Sequence, residues 1–220
     1  MSMQMNEKKR ELKVYLDKCA TLFEKNNSDY DGKVALAFHQ FPKNTDPSEV
    51  MFKIAVLNGF YHGGLVGHGL LELAHWIVER KIDRQLDAGD LSVVDKIAVL
   101  HGKGKNPALY RFAVLYCHWS RPRLFPIYDP VVNWTLLRVN NVLDLRLSNG
   151  RRPVATDLKR CPLLKENLDL LVRALGLKEV WRYKRIHEGL YVLGFGLGRD
   201  TPAYKAWVRR KVGKPPSWLR

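Results

Sequence analysis

The sequence predicts an all-α protein. Apolar residues recur at helical spacing through most of the chain, and no stretch alternates apolar and polar residues as a strand would. At Asp46-Pro47 and again at Asp129-Pro130, a capping carboxylate precedes a proline suited to a first helical turn. A chain of 220 residues suits one domain, 1–220, made of two lobes with a cleft between them.

The first helix is expected over 7–25. Leu12, Tyr15, Leu16, Cys19, Leu22 and Phe23 form its apolar stripe, and Asn6 can cap it. Residues 26–46 hold Asn-Asn-Ser-Asp, Asp31-Gly32 and Pro42, which read as loop around a short apolar piece. Asp46 then caps a helix, MFKIAVLNGFY, that is apolar nearly all round and so is expected to be central, ending at Gly63-Gly64. Helices follow over about 68–80 and 91–100, the latter opened by Asp90 or Ser92. Pro107 opens the helix ALYRFAVLYCHW, and Asp129-Pro130 opens VVNWTLLRV. Residues 140–160 read as loop. A helix over 162–175 stops at Gly176, and one over 178–193 is broken by Gly194, Gly196 and Gly198. A short basic helix near 202–212 lies in a basic tail, 199–220.

Lysine and arginine number 37 against 22 acids, a net charge of +15, with an isoelectric point near 9.8. That balance points to a polyanionic partner. The charge is uneven. Residues 101–125 carry five bases and no acid, and the tail from Arg199 sets seven bases against Asp200 alone. Three widely spaced cysteines without a CxxC pair argue against structural zinc or an iron–sulfur cluster, and fit thiols in a reducing cytoplasm. No cofactor or metal is expected. The start of the chain has no apolar signal segment, and the most apolar stretch, 54–78, contains Asn58, His62, His68, Glu72 and His75. A cytoplasmic monomer with no membrane span is therefore expected.

The glycine clusters GLVGHG and GFGLG follow no strand, so they are not dinucleotide loops, and Gly104-Lys105 lacks the Ser or Thr of a Walker loop. Residues 100–134 are more informative. Gly102 and Gly104 precede a helix, where exposed N–H groups can hold a phosphate, and Lys103 and Lys105 add charge. An ordinary glycine turn explains the same residues. Asp129 is what a helix cap requires. Yet Trp119, Phe125, Tyr128 and Trp134 flank it, and Arg121 and Arg123 precede it. Rings and cations beside one carboxylate suit a pocket for a base turned out of the duplex.

These pieces, in order, resemble the helix–hairpin–helix DNA glycosylases of the endonuclease III-like superfamily. FKIAVLNGFYHGG (52–64) matches that family's buried helix and LHGKGKN (100–106) its glycine hairpin. ALYRFAVLYCHW matches the following helix and IYDPVV (127–132) the turn that bears the catalytic aspartate. The hairpin unit would span about 91–140. The chain also resembles a group of small bacterial proteins sharing LNxxY, DLSxVDxIA, YxFAxxYCxW and FPIYDxxV, across about 50–195. The first resemblance implies a DNA glycosylase acting on double-stranded DNA with Asp129 as the catalytic group. Gly102, Lys103, Gly104, Lys105, Arg121 and Arg123 would hold the DNA. Asn58, Tyr61, His62, Trp119 and Tyr128 would surround the base. Asn106 stands where bifunctional members carry lysine, which implies a monofunctional enzyme, unless a shifted register lets Lys105 form a Schiff base. Damaged bases, or modified bases of phage DNA, are the candidate substrates. The alternative is a non-enzymatic nucleic-acid-binding module.

Overall fold

The computed structural model describes residues 3–61, 65, 69–99, 107–177, 183–199 and 201–219. The fold is all-α, and no strand occurs among the described residues. The α-helices among them are α1 (Met3–Gln40), α2 (Pro47–Tyr61), α3 (Leu70–Glu79), α4 (Asp83–Ala88), α5 (Ser92–Ala98), α6 (Pro107–Ser120), α7 (Pro130–Val142), α8 (Cys161–Ala174), α9 (Tyr183–Leu197) and α10 (Pro202–Val212). Two short 3₁₀ turns, Asp157–Lys159 and Ser217–Leu219, complete them. None of these helices is long and apolar enough to cross a membrane.

The chain divides into two compact units. Unit 1 comprises Met1–Asn27 and Tyr128–Arg220, and unit 2 comprises Ser28–Ile127. Thus 91–140, read from sequence as one hairpin unit, divides at Ile127. Its glycine turn, 100–106, lies outside the described residues, as do His62 and His68.

The expected loop at 26–46 is largely helix, because α1 runs on to Gln40. The two asparagines that look like breakers are absorbed. Asn26 Nδ2 donates to Leu22 O (2.6 Å) and Asn27 Nδ2 to Phe23 O (3.0 Å), so each side chain bonds back to the preceding turn. Beyond them Val34, Ala37 and Phe38 are buried at helical spacing, and burial outweighs local propensity. Asn6 lies inside α1 rather than capping it.

In unit 2, α2 is capped as expected, with Asp46 Oδ1 accepting from the N–H groups of Ser48 and Glu49. It is not buried all round. Phe52 and Phe60 are exposed while Lys53 is buried. The Lys53 ammonium donates to Phe41 O (2.9 Å), Lys43 O (2.8 Å) and Asn44 Oδ1 (2.7 Å), pinning the turn between α1 and α2. Asn44 in turn bonds Asp83 and accepts from the Tyr116 hydroxyl. A side chain with three donors inside an apolar helix thus closes a polar network that organises the turn. Asp83 also begins α4, a short helix not expected from the sequence.

In unit 1, Leu12, Leu16 and Cys19 of α1 pack with Val132, Leu136 and Val139 of α7. Leu164, Leu168 and Leu171 of α8, Leu190 and Leu193 of α9, and Val208 of α10 complete this core. Two of the three glycines expected to break α9, Gly194 and Gly196, lie within it. A Cβ on Gly194 would stand 2.4 Å from Thr135 Oγ1 and 2.7 Å from Val131 Cγ1. Gly194 is therefore the point where α9 lies against α7, and the Thr135 and Val131 side chains occupy the space that a side chain on α9 would need. Gly198, at φ +104°, sits just beyond the helix end.

Candidate nucleic-acid interface

Asp129 sits in extended backbone immediately before α7, with Pro130 in the first turn. Its Oδ1 accepts from Val131 N (2.7 Å) and Val132 N (3.2 Å), and the residue is 9% exposed. It therefore caps the helix, and the cap fixes the carboxylate at the positive end of the α7 dipole. Tyr128 is half-buried and packs against the unit 1 core.

Trp134, in the second turn of α7, has two guanidinium groups near its ring, Arg138 at 5.7 Å and Arg199 at 5.8 Å from the ring centre. Arg138 also donates to Leu219 O, which ties α7 to the end of the chain. Because α9 meets α7 at Gly194, the end of α9 is held near the first turns of α7, and Arg199 follows it. The α10 helix then starts at Pro202, capped by Thr201 Oγ1 accepting from Tyr204 N. Arg209 Nε returns to Gly196 O (3.2 Å). Helices α7, α9 and α10 thereby gather Asp129, Trp134, Arg138, Arg199 and the basic residues of α10 into one unit. The sequence marks the tail as basic but does not join it to Asp129. The glycines of α9 are the signal for that junction, and they read there as breakers.

The remaining sequence-predicted residues belong to unit 2. Tyr61 and Trp119 do meet, with rings 6.1 Å apart. The Tyr61 hydroxyl donates to Asp31 (2.6 Å), and Trp119 is buried, so its ring is part of the packing of unit 2. Trp119, Ser120 and Arg121 line a cavity of about 620 Å³ with Phe38 and His39. Asn58 is half-buried on α2, one turn before Tyr61. Arg121 is held by Asp87 through Nε (2.7 Å) and a second guanidinium contact, whereas Arg123 is exposed. Gly102, Lys103, Gly104, Lys105 and His62 lie outside the described residues. No group of three metal-ligating side chains occurs among the described residues.

The model of the family HI_0787_N, described as an N-terminal domain, matches residues 11–124, just over half the chain. The chain belongs to the HI_0787_N family. An uncharacterized protein of Haemophilus influenzae is similar to it, with 32% identity over 115 residues, covering 49% of this chain and 56% of that protein. The chain thus matches a little over half the length of this curated relative. No solved structure matches the chain. The HI_0787_N span takes in most of unit 2 and ends before Asp129, so the α7–α9–α10 grouping lies wholly outside it.

Charge separates the two units sharply. Unit 1 carries 25 lysines and arginines against 12 acids, and unit 2 carries 12 against 10. Nearly all of the +15 therefore belongs to unit 1. Several unit 1 bases are paired within it: Arg185 with Asp17 and Glu24, Arg151 with Asp157, and Lys165 with Asp169. Along α10 the arrangement differs. Lys205, Arg209, Arg210 and Lys211 share that helix with no acid.

Proposed function

We propose that this chain binds DNA through unit 1 and is a monofunctional DNA glycosylase in which Asp129 is the catalytic carboxylate. The observation that carries the reading is the concentration of positive charge in the unit that holds Asp129. Lysines and arginines there would neutralise phosphates and hold the duplex. The resemblance of IYDPVV to the glycosylase turn supplies the chemistry. Asp129 would orient a water and take its proton as the water oxygen bonds to C1′ of the sugar. The C1′–N bond breaks, its electron pair leaves with the base, and the base then gains a proton. Negative charge on Asp129 would stabilise the oxocarbenium-like sugar as that bond lengthens. The products are a free base and an abasic site. Damaged bases and modified bases of phage DNA are the substrates to test.

One observation favours the rival reading of a non-enzymatic nucleic-acid-binding module: the Asp129 cap is complete, with two N–H donors on Oδ1. Asparagine caps helices as well as aspartate does, so Asp129→Asn separates the two readings. The assay incubates the protein with genomic DNAs of differing base modification, identifies free bases by mass spectrometry and detects abasic sites by alkaline cleavage. The enzyme reading expects base release by the wild type and its loss in Asp129→Asn, with duplex affinity within about twofold. Release at the wild-type rate by the variant removes Asp129 from the chemistry. Binding with no abasic sites on any DNA leaves the binding module.

A further inference from the structure

Tyr204 and Trp207 are one helical turn apart on α10, and neither belongs to the catalytic proposal. Their rings are 5.2 Å apart and tilted by 31°, close enough to parallel to present adjoining faces. Tyr204 is exposed and Trp207 half-exposed. The Tyr204 ring is held from behind. Phe195 meets it edge-on at 4.6 Å, and Tyr191 meets Phe195 edge-on at 4.7 Å. This column fixes an aromatic surface that would otherwise lose rotamer freedom on binding. Lys211 follows Trp207 by four residues, and Arg210 is exposed beside it. Ala203 and Ala206 are also exposed and leave room for close approach along the helix. No acid occurs between Thr201 and Leu219.

A row of cations alone would suit any polyanion. An exposed Tyr204 ring beside a half-exposed Trp207 that is anchored on the unit 1 core adds, within that row, something a paired duplex cannot use, because its base faces are already stacked. Unpaired nucleotides offer both a phosphate charge and a free base face. We infer that the exposed face of α10 is a stacking platform for unpaired nucleotides, in which Tyr204 and Trp207 take bases while Arg210 and Lys211 take the backbone of a single strand. The inference rests on the nucleic-acid reading of unit 1 and specifies the strand state that unit engages. An enzyme that draws a base out of a duplex must hold such unpaired nucleotides.

The test uses the full chain and a fluorescein-labelled, mixed-sequence strand of about 20 nucleotides, single or annealed to its complement, at salt from about 50 to 300 mM. Fluorescence anisotropy gives the affinities. Tyr204→Ala weakens single-strand binding by about tenfold, leaves the salt slope unchanged and alters duplex binding by less than about twofold. Tyr204→Phe, which keeps the ring, restores single-strand affinity. Arg210→Gln with Lys211→Gln weakens both probes and flattens the salt dependence, by a slope of about 0.7 per charge on the single strand. If the charge variants weaken binding while Tyr204→Ala does not, the platform is refuted and the nucleic-acid reading stands. If the wild type binds neither probe, both fall.

Discussion

Replacing Lys53 with methionine removes a charge that the fold has taken almost entirely out of water. The side chain is 1% exposed, and its ammonium holds Phe41 O, Lys43 O and Asn44 Oδ1. Methionine fills much the same volume but leaves these acceptors without that donor. Breaking a buried charged network in this way costs about 3–5 kcal/mol. The second half of the prediction concerns pH. Burial lowers the Lys53 pKa from 10.5 to about 8, against the opposing pull of Asp83 and Glu49. Between those values the unfolded chain keeps the proton that the folded chain has released, so stability rises with pH across the window. The gain is complete above the unfolded value and is lost as pH falls through about 8. The whole shift corresponds to about 3 kcal/mol, of which about 1 kcal/mol accrues between pH 7 and pH 9. Urea unfolding of wild type and K53M at the two pH values measures it, and subtracting one protein from the other cancels the remaining titrating groups. The wild type's lead over the variant should grow by about 1 kcal/mol from pH 7 to pH 9. A lead that stays constant or shrinks would refute the argument that burial holds the pKa down.

Four further predictions concern unit packing, the cap and the buried thiols. Gly32→Ala should stabilise the chain by about 0.5–1 kcal/mol, because the glycine is helical and nothing lies within 4 Å of an added Cβ. Gly194→Ala should destabilise it by about 1–2 kcal/mol despite the same helical preference, since the methyl would meet two stiff β-branched side chains, Thr135 and Val131. Thermal or urea unfolding reads both, and equal effects at the two positions would contradict the proposed crossing of α9 on α7. Asp129→Ala should lose about 1 kcal/mol of stability through the cap while Asp129→Asn loses only a few tenths, so urea midpoints that move together would show that the cap contributes little. Cys19, Cys117 and Cys161 are buried free thiols, and burial raises the Cys19 pKa far above its ordinary value. A thiol-reactive dye should therefore label the native protein only on the timescale of unfolding, and rapid stoichiometric labelling would show that these thiols are accessible.

Helix class was legible because it is a local property. The spacing of Leu12, Leu16 and Cys19, and the Asp-Pro starts of α2 and α7, depend on neighbours along the chain; a helix covers the first stripe, and α2 and α7 begin where the sequence places them. The misreadings share one cause. Asn26, Asn27 and Gly32 disfavour helix locally, yet burial of Val34, Ala37 and Phe38 carries α1 through them. Gly194 and Gly196 likewise disfavour helix, yet α9 runs through both; Gly194 lies against Thr135 and Val131 of α7, and Gly196 against Val208 of α10 and Pro215. Lys53 looked like one polar residue on an apolar helix, and its three acceptors come from residues 41–44, which local pattern alone cannot bring to it.

The sequence by itself determined that the chain is helical, strongly basic and equipped with a carboxylate at the start of one helix. Composition, periodicity and capping are readable one segment at a time. Only the tertiary structure decided which segments share a unit. It joined the first part of α1, up to Asn27, to the C-terminal half, left unit 2 nearly neutral, and brought the basic α10 and Arg199 into the unit that holds Asp129 and Trp134. The physical reason is that side-chain pairing and close helix crossing depend on distance in space, and a glycine that breaks a helix reads the same in sequence as one that lets two helices touch.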